Sequence, residues 1–211
     1  QQAESALFHQ SSPEPFGREL AAALYGAPLY GSATRLETFN ACPFKHFARY
    51  GLRIEPPKEY RERRADEGAF CHEALARFTE RIIALNIPAR EIAPETVEAL
   101  LAELLPPLIA EHNNGVLLDT ARMRALAARL VRRVKETAHA IVRQLAAGRF
   151  QAEGCEVEFG RGKAYPPIEL ALSDGTRCLL SGKIDRLDGT FDEAGTRFFR
   201  VIDYKTGSAE F

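Results

Sequence analysis

Two stretches near the C-terminal end decide how this chain is read: Ser181-Gly182-Lys183-Ile184-Asp185-Arg186-Leu187-Asp188 and Val201-Ile202-Asp203-Tyr204-Lys205-Thr206-Gly207. Each sets acidic residues among apolar neighbours and reads as a β-strand. Side chains alternate along a strand, so Asp203 and Lys205 point to one face. A half-buried carboxylate beside a lysine is costly unless the two pair, bind metal or do chemistry. If a loop over 189–196 joins the strands as neighbours, roughly 5 Å apart, Asp185 approaches Asp203 with Lys205 nearby.

Working outward, strands are expected at 156–160, 168–172, 177–187 and 197–204, separated by Asp174-Gly175 and Asp188-Gly189 turns. Everything before them has the helical period. A short helix is expected over 19–25. At Thr34, spaced from Glu37 as in a capping box, a second helix opens with Leu36 and Phe39 on its apolar face. Pro43 interrupts it, and Phe44, Phe47 and Tyr50 form an aromatic stripe that reads as core packing. Residues 53–65, charged and containing Pro56-Pro57, form an exposed connection.

Asp66 can cap a helix to about 86 with Phe70, Ala74, Leu75, Phe78, Ile82 and Leu85 on its apolar side. Pro94 opens another, with Val97, Leu100, Leu101, Leu104 and Leu108 buried, which Pro106-Pro107 should kink or split. The longest helix spans 120–147 and ends at Gly148; Met123, Leu126, Leu130, Val134, Ile141 and Leu145 form its buried stripe. The class is therefore α+β: an N-terminal helical part packed on a mixed, mainly antiparallel sheet.

The 211 residues are 45% hydrophobic, enough for a substantial core. Net charge is −1, so there is no global argument for nucleic acid, but residues 119–149 carry +6 and the remainder −7. Arg122, Arg129, Arg132, Arg133, Lys135 and Arg143 lie on that basic helix, as a solvated face or a surface that tracks phosphates. The four cysteines show no CxxC spacing, which argues against a disulfide framework or a four-cysteine zinc site. No signal peptide or long apolar run is present, which makes a cytoplasmic protein the default expectation. The chain opens on Gln1 and stops at Phe211 just after a strand, as a piece of something longer would.

Two close carboxylates repel, and a hard divalent cation relieves that repulsion while binding oxygen ligands. Such an ion polarises a phosphoryl oxygen, and a nearby lysine orients a nucleophile or stabilises developing charge. Asp-x-Lys alone is common in surface salt bridges. With Gly-x-Ile-Asp-Arg-x-Asp one strand earlier it points to metal-dependent phosphodiester hydrolysis. A nucleotide-binding α/β domain is excluded because no Gly-rich phosphate loop follows any strand.

With these motifs in hand, the sequence resembles the PD-(D/E)XK nuclease domain of the RecB family, and most closely the C-terminal domain of AddB-type helicase–nuclease subunits. Ser32-Ala33-Thr34-Arg35-Leu36-Glu37 followed by Cys42-Pro43-Phe44 and Phe47 is similar to the domain's opening signature. Gly68-Ala69-Phe70-Cys71-His72 is similar to its Gly-x-x-x-His helix, and Glu156-Val157-Glu158-Phe159-Gly160 to its first strand. The two C-terminal motifs are similar to its catalytic strands.

The resemblance implies an incomplete restriction-endonuclease-like core, with a lead-in over 1–31 and the nuclease domain over 32–211. Within that domain the helical part spans 32–150 and the catalytic strands 155–207. It implies Asp185 and Asp203 as metal-binding carboxylates and the Tyr204 carbonyl as a further ligand. Lys205 would position the attacking water, and His72 would complete the metal shell. A helical histidine taken singly reads as a packed one; the Gly68 spacing moves His72 into the site. Glu156 matches an acidic position without an assigned role, and Arg186 and Asp188 are expected to serve strand pairing and the turn.

The function implied is a Mg²⁺- or Mn²⁺-dependent deoxyribonuclease acting with a helicase partner on DNA in double-strand break repair. The alternative is a nuclease-fold module that binds DNA or docks a helicase without cleaving. The helix and strand that follow the Asp-x-Lys strand in the family have no counterpart, so the 211-residue chain alone is expected to be weak or inactive. Many AddB-type domains hold a [4Fe–4S] cluster. Cys42 matches its first ligand, the other three have no match, and Cys71, Cys155 and Cys178 read as small core residues.

Overall fold

Apolar residues recurring every three to four positions predict the helices, and the computed structural model of the protein, which describes residues 17–55 and 64–205, contains them. In chain order these are α1 (Arg18–Tyr25), α2 (Ala33–Ala41), α3 (Pro43–His46), α4 (Arg64–Leu85), α5 (Pro94–Glu111), α6 (Val116–Asp119) and α7 (Ala121–Ala147). The strands are β1 (Leu29–Gly31), β2 (Gln151–Phe159), β3 (Ile168–Ala171), β4 (Arg177–Leu180), β5 (Gly182–Phe191) and β6 (Arg197–Ile202). The lead-in before Gly17, most of the connection over 53–65 and the Thr206-Gly207 end of the last motif lie outside the described residues. No described helix is long and apolar enough to cross a membrane.

The chain divides into two compact units, Gln1–Pro56 with Gly160–Gly182, and Pro57–Phe159 with Lys183–Phe211. In the first, β4 pairs parallel to β1 and antiparallel to β3. The N-cap of α2 is Ser32, whose hydroxyl accepts from the Arg35 amide at 3.3 Å, so Thr34 lies inside the helix and not at its cap. Leu36, Phe39 and Phe44, expected to face a core, are exposed; Phe44 retains 76% of its accessible surface. The buried ring here is His46. It sits between Tyr25, Phe39 and Tyr50 and accepts from Arg35 Nε at 3.2 Å, just before a π-helical turn over Phe47–Gly51. Burial, reinforced by the Arg35 charge, lowers its pKa.

In the second unit α4, α5 and α7 share one apolar core. Phe70, Ala74, Leu75, Phe78 and Ile82 of α4 are buried against Val97, Leu101, Leu105 and Leu108 of α5. Each such aliphatic or aromatic side chain contributes about 1.5–3 kcal/mol on burial. From α7 come Ala127, Leu130, Val134, Ala138, Ile141, Val142 and Leu145, while Met123 and Leu126 are only partly buried. Thr120 caps α7 through the Met123 amide at 3.1 Å, and Gly148 ends it. Two expectations are corrected, the cap at Asp66 and a split at Pro106-Pro107. Asp66 lies within the first turn of α4, which already includes Arg64. Pro106 and Pro107 do not split α5, because Leu105 and Leu108 are buried on either side and hold the helix together to Glu111.

The single expected meander is two three-stranded sheets, β1-β4-β3 and β2-β5-β6. The strand expected over 177–187 breaks at Ser181, whose amide and hydroxyl both donate to the Gly31 carbonyl, at 2.9 and 3.2 Å. The Asp174-Gly175 turn is present, with Gly175 at φ 82°. The Asp188-Gly189 turn is not: both residues lie inside β5. The β5–β6 hairpin turns instead over 192–196, where Asp192 Oδ1 accepts from the amides of Ala194 and Thr196. Asp188 is consumed by buried arginine contacts, which override its local turn preference.

Candidate metal centre

Strand β5 carries the site on one face and its support on the other. Lys183 and Asp185 share one side; Arg186 and Asp188, two apart, share the opposite one. From α4, His72 brings Nδ1 to 3.3 Å from Asp185 Oδ1. Strand β2 contributes Glu156, whose φ of 51° lies in the left-handed region, rare for a residue with a side chain. That conformation interrupts the strand's alternation, as a bulge does. Ligand atoms of His72, Glu156 and Asp185 all lie within 4.8 Å of one another. One imidazole nitrogen and two carboxylates form a donor set that suits a divalent cation of hard or borderline character.

A cleft of about 690 Å³ opens over this group, lined by Gly68, Glu73, Arg77, Glu80 and Lys183 among others. The Lys183 ammonium contacts the Glu156 carboxylate. Nothing in the sequence singled out Lys183; its placement two residues before Asp185 was the available signal.

Asp203 and Lys205 stand at the edge of the site. The β5–β6 ladder pairs Arg186 with Ile202, so Asp185 and Asp203 are one step beyond it. Asp203 does not join the three-residue group. Its carboxylate pairs with Lys205 Nζ at 2.8 Å, and both side chains are largely exposed. Between them, Tyr204 turns inward. Its amide donates to Asp185 Oδ2 at 2.6 Å, and its ring meets that of His72 edge-on, centroids 6.1 Å apart. Burial raises the pKa of its hydroxyl.

Behind the site lies a buried ionic network. Arg186, fully buried, donates from Nε to Asp188 Oδ1 at 2.8 Å and from Nη2 to Oδ2 at 3.1 Å. Nη1 donates to Tyr204 Oη at 3.1 Å, and Nη2 also donates to Gln144 Oε1 of α7 at 2.7 Å. Asp188, also fully buried, accepts from Arg200 as well, at 2.8 Å. Taking these charges out of water costs several kcal/mol per ion, offset only when every donor and acceptor is met. Among the described residues no buried side-chain nitrogen or oxygen lacks a partner.

A profile of the PD-(D/E)XK nuclease superfamily matches residues 31–211. The chain belongs to this superfamily. It is 34% identical over 97% of its length to the B-type subunit of an ATP-dependent helicase/deoxyribonuclease from Alkaliphilus metalliredigens, and to the same degree to that of Alkaliphilus oremlandii. The counterpart from Clostridium acetobutylicum is 33% identical over 98% of the chain. In each comparison the chain spans 18% of the relative's length.

PD-(D/E)XK nucleases are hydrolases that use divalent metals, and the His72–Glu156–Asp185 group could hold one. With about 100° per residue, Arg122, Arg129, Arg132, Arg133 and Arg143 fall in one sector of roughly 100° on α7, away from its buried stripe. Lys135 falls outside that sector and pairs with Glu98 at 2.5 Å; Arg129 pairs with Glu67 at 3.3 Å. Arg133 joins Tyr204 and Lys205 in lining a small cavity beside His72.

Cys42 caps α3, its sulfur accepting from the Lys45 amide at 3.4 Å. Cys71 and Cys178 are buried and Cys155 is partly so; burial pushes the Cys155 thiol up to about 11 and also raises that of Cys71.

Proposed function

We propose that this chain is the nuclease domain of a larger helicase–nuclease subunit, hydrolysing DNA phosphodiester bonds with Mg²⁺ or Mn²⁺ during double-strand break repair and recombination. The spacing of His72, Glu156 and Asp185, with all three ligand atoms within 4.8 Å, is the observation that carries this reading. A cation held there supplies Lewis acidity toward the scissile phosphate. His72, Glu156 and Asp185 bind it, with Asp203 and the Tyr204 carbonyl as the further oxygens implied by the family pattern. Lys205 orients the attacking water and stabilises negative charge developing on the phosphate.

The arginine face of α7, with Lys135 beyond its edge, follows the DNA backbone without reading sequence, as suits an enzyme that processes ends. A helicase-type partner delivers the strand, and the bacterial cytoplasm is the compartment. Cys42 matches the first ligand of the [4Fe–4S] cluster that many AddB-type domains hold, and would bind one in a protein that supplies the other three ligands.

A second reading, a DNA-binding or helicase-docking module without cleavage, is favoured by one observation: Asp203 stands apart from the three-residue group and is neutralised by Lys205. Cleavage separates the two. The full-length protein is expected to degrade linear DNA with Mg²⁺ or Mn²⁺, to stop on chelation, and to lose activity in Asp185→Ala and Asp203→Ala. DNA binding without metal-dependent cleavage would falsify the first reading and leave the second.

A further inference from the structure

We propose that Arg186 is a positioning residue for the metal centre, acting through Tyr204; the proposal rests on the metal-binding reading of His72, Glu156 and Asp185. Tyr204 touches two members of that group by different means. Its backbone amide fixes Asp185 Oδ2 at 2.6 Å, and its ring edge abuts His72. Tyr204 is held by the guanidinium of Arg186, 3.1 Å from the phenol oxygen and 5.9 Å from the ring centroid, and its hydroxyl also bonds Thr79 of α4.

That guanidinium is itself immobilised. Asp188 grips it with both carboxylate oxygens from the same strand face, and Gln144 ties it to α7. The fork of an arginine has fixed geometry, so once it is clamped the directions of its Nη1 N–H groups are set, and one of them meets the Tyr204 hydroxyl. A pair of leucines could fill this space, but neither would donate to the Tyr204 hydroxyl, which would keep only its bond with Thr79. The two-residue strand period explains the arrangement: the residue after Asp185 necessarily faces away from the cleft, where it can anchor what lies behind.

Carboxylates and imidazoles that bind metal depend on such supporting contacts, and removing one typically weakens metal affinity 10- to 100-fold. Tyr204→Phe retains the ring, the backbone amide and the backbone carbonyl, and removes only the hydroxyl that Arg186 and Thr79 hold. Substitution at Arg186 leaves the Thr79 bond in place. Titrated with Mn²⁺ by calorimetry, this variant is expected to bind about tenfold more weakly than the wild-type chain. The double variant Arg186→Met/Asp188→Leu replaces the two buried members of the network with apolar residues of similar volume, a change that commonly preserves folding, and leaves the partly exposed Arg200 to turn to solvent. It is expected to show the same loss of Mn²⁺ affinity with a urea midpoint close to wild type, a split that a purely structural role would not produce. Should Tyr204→Phe not fold, the double variant decides. Wild-type Mn²⁺ affinity in the folded variants overturns the positioning role alone. A wild-type chain that binds no Mn²⁺ overturns it together with the metal-binding reading beneath it.

Discussion

Lys183 places its ammonium on the Glu156 carboxylate, within the cleft where Glu156 meets His72 and Asp185. If the group holds a divalent cation as proposed, the lysine competes with it for the same oxygens and repels it as a like charge. Lys183→Met is expected to tighten Mn²⁺ binding by roughly three- to tenfold at low salt, with a smaller gain at high salt. Calorimetric titration at two ionic strengths checks this. Weaker binding in the variant would mean that Lys183 orders Glu156 for the metal and does not compete with it.

Glu156 occupies a left-handed backbone conformation that disfavours any residue with a Cβ by about 1–2 kcal/mol. Glu156→Gly relieves that strain while removing a carboxylate. The variant is expected to unfold at a urea concentration equal to or above wild type and to lose most of its Mn²⁺ affinity. Glu156→Ala should lose the affinity without the gain in stability. Opposite effects on folding and on binding would identify this as strain kept for a ligand position.

His46 gives the first unit a pH-dependent stability. Its pKa is lowered from 6.5 by burial and by the Arg35 charge, so the unfolded chain takes up the proton more readily than the folded one. The contribution is complete above about pH 6.5 and is lost as pH falls through the lowered folded value. Tyr25 and Tyr50 contact the imidazole, so tyrosine fluorescence during urea unfolding reports on it. The midpoint is expected to drop between pH 7.5 and 5.5 in the wild type, and His46→Phe should flatten this part of the slope.

The arginine face of α7 is expected to contribute to DNA affinity through phosphates. In Arg122→Ala/Arg143→Ala the slope of log affinity against log salt should shrink by roughly 0.9 for each phosphate no longer neutralised, about equally for unrelated DNA sequences. Lys135→Ala serves as the comparison, since Lys135 lies outside the arginine sector and is tied to Glu98. Fluorescence anisotropy with labelled linear DNA over a range of salt measures both. An unchanged slope in the double variant would assign those arginines to solvation.

The sequence by itself determined the class of the protein and its most diagnostic residues. Helical periodicity placed α4, α5 and α7. The Gly-Lys-Ile-Asp-Arg and Asp-Tyr-Lys motifs, with His72 far upstream, carried the family resemblance that the profile match bears out. These features are legible because each rests on local spacing: 3.6 residues per helical turn, two per strand repeat, and fixed intervals within motifs.

Tertiary structure alone decided the rest. The strand expected over 177–187 divides at Ser181 because a carbonyl 150 positions earlier, at Gly31, takes its hydrogen bonds. Asp188-Gly189 forsakes a turn because Asp188 is held by arginines on two strands. Glu156 enters the cluster through a backbone conformation that its residue type disfavours, and Arg186 is buried although charged residues are usually exposed. In each instance a long-range contact outweighs the local preference of the residue, and no reading of neighbours along the chain contains that contact.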